Sequence, residues 1–179
     1  MIRLFAALSL PGDAAAALAP HQAGVRGARW RPAETLHITL RFFGEVDERR
    51  AQDIAQALDL AAVEPFDLTM AGVGCFGEGE RIRAVWAGVE PCEALARLAG
   101  RCEAAARRAG CAPETRKFAP HVTLAYLKRA DPSEVAAWIV SHNLLKTGTF
   151  RMARFGLFSS WPGEDGSRYE LERYYPLRE

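Results

Sequence analysis

His37-Ile38-Thr39-Leu40 returns 84 positions later as His121-Val122-Thr123-Leu124. The chain holds four His, seven Thr and 18 Leu among its 179 residues. Two of four His followed by x-Thr-Leu is a coincidence of roughly one in ten thousand, so the repeat carries information. Both copies lie in apolar, β-prone runs, residues 36–43 and 121–127. Side chains alternate along a strand, so His37 and Thr39 point one way while Ile38 and Leu40 point the other. The second copy repeats the arrangement. Each strand then offers an imidazole and a hydroxyl on one face, anchored by two apolar residues on the opposite face.

Outward from the repeat, strands are predicted at 2–10, 66–75, 82–89, 150–158 and 169–174. Helices fall between them. Residues 12–22 are Ala-rich after Pro11-Gly12, and Asp47 N-caps a helix over 47–62. Residues 93–109 form an Ala/Arg/Leu helix closed by Gly110. Asp131-Pro132-Ser133-Glu134 supplies an N-cap, a Pro at N1 and an acid at N3 for a helix to 145. The order describes an α+β chain in two similar parts, each with one motif strand, a polar turn and a helix. No long linker or low-complexity segment separates them, so residues 1–179 are expected as one bilobal domain. A pseudo-twofold would bring the motif strands side by side or across a cleft. Ser159 to Ser167 is rich in turn residues and is expected as a loop bordering that cleft.

Composition narrows the class. Hydrophobic residues make up 49% and charged residues 25%, an ordinary balance for a water-soluble domain. Net charge is +1, so any anion site must be local. Local clusters do exist, at Arg26 to Arg31, at Arg116-Lys117 and at Lys128-Arg129. The four Cys form no Cys-x-x-Cys pair and match no structural zinc module, so no metal or cofactor is expected and the thiols read as free in a cytoplasmic setting. Met1 to Leu8 is too short for a signal segment and reads as the first strand. A Gly-x-x-x-x-Gly-Lys-Ser/Thr loop for ATP is missing. A monomer is the default expectation.

Two imidazoles flanking one substrate suit concerted acid–base catalysis, one taking a proton from the nucleophile while the other gives one to the leaving group. A Thr hydroxyl two residues on, on the same face, can donate to a phosphoryl oxygen as charge develops. A phosphodiester fits these needs without a metal. His21 and His142 lack the motif and read as helix-surface residues. Arg41 falls on the His37 face by the period-two rule, as a candidate phosphate contact. Phe5, Trp30 and Trp161 are candidate base platforms, with core packing the competing fate. Lys117, before the second motif strand, is a candidate contact for a phosphate-bearing substrate at the cleft rim.

The doubled His-x-Thr, the opening Arg3-Leu4-Phe5, and Leu36-His37-Ile38-Thr39-Leu40-Arg41-Phe42-Phe43-Gly44-Glu45-Val46 resemble the 2H phosphoesterase superfamily. Residues 81–89, Lys117-Phe118-Ala119-Pro120-His121-Val122-Thr123-Leu124-Ala125 and Tyr174-Tyr175-Pro176-Leu177 fit the same pattern. Within that superfamily the chain is most similar to the bacterial and archaeal RNA 2′,3′-cyclic phosphodiesterases, also called 2′-5′ RNA ligases. The resemblance implies a bilobal fold, with two mainly antiparallel sheets facing a central cleft and helices outside. It implies metal-free opening of an RNA 2′,3′-cyclic phosphate end to a 2′-phosphate. His37 and His121 become the acid–base pair and Thr39 and Thr123 the phosphate ligands, with His121 as base for water and His37 as acid for the 3′-oxygen. Members often carry Arg five residues after the second motif His; here that position is Tyr126, which donates one hydrogen bond but carries no charge. Arg41, Lys128 or Arg129 are expected to compensate. The rival readings are a 2′-5′ RNA ligase joining tRNA halves, which would use the same four residues, and a non-catalytic module that holds an RNA end.

Overall fold

Runs of Ile, Val, Phe and Thr favour extended backbone around both motifs, and the Ala-rich stretches between them favour helix. The computed structural model describes residues 1–163 and 166–178. In chain order they form β1 (Ile2–Ser9), α1 (Gly12–Leu18), β2 (Arg29–Trp30), β3 (His37–Val46), α2 (Glu48–Ala57), β4 (Phe66–Leu68) and β5 (Met70–Phe76). There follow β6 (Ala84–Val89), α3 (Glu93–Arg108), β7 (His121–Tyr126), α4 (Pro132–His142), β8 (Phe150–Met152), β9 (Arg154–Gly163) and β10 (Gly166–Pro176). The fold is α+β with two antiparallel sheets.

The larger sheet runs β10-β9-β1-β3-β7-β6-β5, with β2 also paired to β7; β4 and β8 make the smaller one. The two motif strands, β3 and β7, are neighbours, joined through the backbone pair Ile38↔Val122. The large sheet is therefore two wings meeting at the motifs. These wings are not the two halves of the chain. Strand β9 returns to pair with β1, with Phe5 opposite Phe158, and β2 crosses over to β7, with Trp30 opposite Ala125. Both exchanges cover sheet edges that would otherwise carry unpaired N–H and C=O groups.

Two predicted strands divide. Residues 66–75 break at Thr69 and residues 150–158 break at Ala153, where each passes from the small sheet to the large one. Asp47 and Asp131 cap α2 and α4, their carboxylates accepting from the N–H groups of Arg50 and Ser133 at 2.8 Å each. Helix α1 stops at Leu18 because Pro20 has no N–H to continue the ladder, and a 3-10 turn, Ala19–His21, follows. The expected loop at Ser159 to Ser167 is a strand hairpin instead; Glu164 and Asp165 lie outside the described residues.

Ile38, Leu40, Val122 and Leu124 are buried on the helix side of the sheet. There α3 buries Leu95, Leu98, Ala99, Cys102, Ala105 and Ala106, a run at helical spacing. Each large aliphatic chain so buried contributes about 1.5–3 kcal/mol. His21 and His142, expected on helix surfaces, instead pack ring to ring at 5.1 Å, and His142 also lies against Trp138.

Candidate active site

The two His-x-Thr-Leu segments fold alike. His37 Nδ1 lies 2.7 Å from the Thr35 carbonyl, and His121 Nδ1 lies 2.8 Å from the Ala119 carbonyl. A carbonyl only accepts, so each Nδ1 carries the proton and each Nε2 is left to act on a substrate. Continuing the antiparallel ladder one step either way from Ile38↔Val122 sets His37 across from Thr123 and Thr39 across from His121. All four side chains are half-buried on the face away from the helices.

Both strands also bulge at the same motif position. Ala6 and Ala7 oppose Arg41 and Thr39, leaving Leu40 unpaired; Val85 and Trp86 oppose Ala125 and Thr123, leaving Leu124 unpaired. One extra residue reverses the alternation beyond it. This corrects the expectation for Arg41. Its guanidinium turns to the helix side, where it is 9% exposed and bridges Glu103 of α3 at 2.5 Å and the Ala112 carbonyl at 2.6 Å. The same shift brings Phe42 and Tyr126, each five residues after a motif His, onto the outward, accessible side of their strands.

His37 sits in an aromatic nest. The rings of Phe5 and Tyr169 lie 5.2 and 5.3 Å from it, and Phe158 stacks on Phe5 at 5.5 Å. A cavity of about 300 Å³ opens beside it, lined by Phe5, Phe158, Leu171, Tyr174, Ser9 and Glu34 among others. Gly156 permits that wall, since a methyl there would come within 2.7 Å of Phe158 and 2.9 Å of Leu171. Burial first, then the charges of Arg31 and His121, lower the proton affinity of His37 against the opposing pull of the Thr35 carbonyl. His121 has different company: Phe76 meets its ring edge-on at 4.7 Å and Trp86 lies at 6.3 Å. Trp86 lies across Gly74, where a Cβ would meet the indole at 2.3 Å.

Phe5 is both core and wall: it is 2% exposed yet lines the cavity. Trp30 packs towards Trp138, and Trp161 is partly exposed with its indole N–H donating to Ser159. Lys117, Lys128 and Arg129 are exposed in the segments flanking β7, and Arg116 is engaged by Glu114. The cation that does approach His37 is Arg31. Its guanidinium lies 5.3 Å from the centre of the Tyr169 ring and 5.6 Å from that of Tyr126. Burial, and next the neighbouring Tyr126 hydroxyl, push the Tyr169 phenol up to about 12. Arg31 and Tyr169 were not singled out from sequence; the Arg26–Arg31 cluster was the available signal, without an indication of which Arg turns inward. Among the described residues no three of His, Cys, Asp and Glu gather in a group that could hold a metal ion.

Residues 11–161 match the model of the 2′-5′ RNA ligase superfamily. A protein of Archaeoglobus fulgidus named RNA 2′,3′-cyclic phosphodiesterase is 31% identical over 177 residues, covering 97% of this chain and 99% of that one. A protein of Aeropyrum pernix with the same name is 41% identical over 98 residues, 54% of this chain and 56% of that one. The crystal structure of E. coli LigT complexed with 3′-AMP superposes with a TM-score of 0.79 at 27% identity, covering 99% of both chains. A doubled His-x-Thr on adjoining strands, the matching family model and near full-length likeness agree: the chain belongs to the 2′-5′ RNA ligase superfamily of 2H phosphoesterases.

Proposed function

We propose that this protein hydrolyses the 2′,3′-cyclic phosphate ends of RNA to 2′-phosphates, using His37 and His121 as an acid–base pair and Thr39 and Thr123 as phosphate ligands. The observation that carries this reading is the matched pair of imidazoles, each tethered through Nδ1 to the carbonyl two residues before it. Such tethers orient both Nε2 atoms, and proton transfer through positioned imidazoles contributes about 10²–10⁴-fold each. In the proposed step a water attacks phosphorus while His121 Nε2 takes its proton. The bond from phosphorus to the ribose 3′-oxygen breaks, and His37 Nε2 protonates that oxygen. The products are a 2′-phosphate and a free 3′-hydroxyl, and the two rings exchange their protons with solvent to reset. No metal enters the proposed step.

One feature supports the direction, and one that opposes it is offset by the substrate. The cavity of about 300 Å³ beside His37 is walled by aromatic rings that suit a nucleobase, which would set the terminal ribose on the His37 side. His37 also holds its proton weakly in the free protein. A bound phosphate anion between the rings favours the imidazolium, so His37 gains its proton together with the substrate.

The test is an RNA oligonucleotide ending in a 2′,3′-cyclic phosphate, incubated in EDTA with the wild type, His37→Ala and His121→Ala. A 2′-phosphate product formed by the wild type and lost in both variants is the expected result. A 3′-phosphate product overturns the assignment of the leaving oxygen. Absence of turnover by the wild type overturns the hydrolase reading.

A further inference from the structure

Arg31 is anchored with unusual thoroughness for a residue just past a two-residue strand. Its N–H donates to the Leu124 carbonyl at 2.8 Å, and its own carbonyl accepts from the Gln22 side chain at 2.8 Å. Gln22 donates to Leu124 as well, at 3.2 Å. Leu124 is the bulged residue of the second motif strand, so the backbone of Arg31 is registered directly on the His121-Val122-Thr123-Leu124 segment. The side chain then crosses the join between the wings. Its guanidinium is flanked by Tyr126 of β7 and Tyr169 of β10, and Tyr169 in turn meets the His37 ring edge-on. One terminal nitrogen, Nη2, is shielded from solvent and has no hydrogen-bond partner among the described residues.

A shielded guanidinium nitrogen left without a partner is costly, and for a charged donor the cost exceeds that of a neutral one. A chain that fastens this residue at two backbone atoms and flanks its head with two aromatic rings keeps the unmet donor in one position. An anion is the natural partner, since guanidinium presents forked donors matched to phosphate oxygens. The neighbours lead to the same ligand: His37 and the two Thr lie around the adjoining strand pair, on the accessible face of the sheet.

We propose that Arg31 is a catalytic residue that binds the non-bridging oxygens of the substrate phosphate, in place of the charge missing at Tyr126. The guanidinium stands on the segment paired beside β7, not on β7 itself. Tyr126 keeps a part in the site by holding the guanidinium face, as Tyr169 does from the other wing. This inference rests on the phosphodiesterase reading of the site.

Arg31→Gln keeps the backbone anchors and removes the charge. It is expected to lower kcat/KM on the cyclic-phosphate oligonucleotide by about 10²–10³-fold, the scale for loss of one charge-stabilising donor. Adding Tyr126→Arg to that variant is expected to restore at least about tenfold of the loss, because the charge is returned to the same oxygens from the neighbouring strand. Removing Arg31 also relieves His37 of a nearby positive charge. The limb of kcat/KM that falls with rising pH, set by loss of the His37 proton, therefore moves to higher pH in Arg31→Gln. Kinetics within threefold of wild type, or no recovery in the double variant, would overturn the proposal. Binding of inorganic phosphate, followed by calorimetry, separates the two claims: if the wild type binds phosphate and Arg31→Gln weakens it tenfold, Arg31 stands even where turnover fails. Equal phosphate binding by both proteins sinks it.

Discussion

The two motif strands carry the same tetrapeptide pattern and adopt the same local geometry, yet they give their imidazoles different surroundings. Each His is tethered to the carbonyl two residues back, each Leu is the unpaired residue of a bulge, and the single pair Ile38↔Val122 joins the two motifs. These likenesses are local, and local sequence suffices to produce them. The difference is that His37 lies under Phe5 and Tyr169 with Arg31 near, whereas His121 meets Phe76 and Trp86. Phe5, Tyr169, Phe76 and Trp86 come from strands far from their His in sequence, whereas Arg31 stands six residues before His37; burial and charge together lower the proton affinity of His37. Identical motifs thus come to lie in unlike surroundings, as the proposed division into acid and base requires.

That comparison breaks most sharply at the imidazoles themselves. His37→Ala and His121→Ala are each expected to cost about 10²–10⁴-fold in kcat, and the double variant little more, because residues acting as a unit are not additive. A single variant that keeps kcat within tenfold of wild type would show that the two strands do not share one reaction. Thr39→Val and Thr123→Val come next. Each removes one hydroxyl donor to a charged oxygen, about ten- to hundredfold in rate, seen in kcat more than in KM. Equal losses sharpen the symmetry; a loss confined to one Thr assigns the phosphate to one strand.

The smallest effect on activity belongs to Arg41, which the bulge turned away from the site. Arg41→Ala is expected to lower folding stability by about 2 kcal/mol, measured as a shift in denaturant midpoint, with turnover of the folded protein retained. Burial raises the Glu103 carboxyl, but the bonds from Arg107 and Arg41 outweigh it and hold the group below its usual range. A lowered carboxylate contributes stability above its unfolded value near 4.5, lost as pH falls through the lower folded value. Arg41→Ala should therefore lose less stability between neutral pH and about pH 3 than the wild type does. An equal acid loss in both proteins would separate Arg41 from Glu103.

The doubled motif, the caps at Asp47 and Asp131 and the Gly110 stop were legible because each is a matter of neighbours within a few residues. The division of the predicted strands at Thr69 and Ala153 was not, since apolar residues continue through both breaks and only the choice of sheet changes. The two-residue strand at Arg29–Trp30 is too short to carry a period. Arg41 turns away from its expected place for one reason: a bulge is a fact about pairing, and period-two counting cannot register the residue that pairing leaves out.

The sequence by itself determined that two strands each present an imidazole and a hydroxyl over an apolar anchor, because side-chain alternation over three residues requires nothing from elsewhere. The tertiary structure decided which cation approaches the site, that burial and charge weaken the hold of His37 on its proton, and which wing encloses the cavity. Electrostatic and desolvation effects act through space over a few ångströms, and residues 31, 37, 126 and 169 meet at that distance only after the wings have joined.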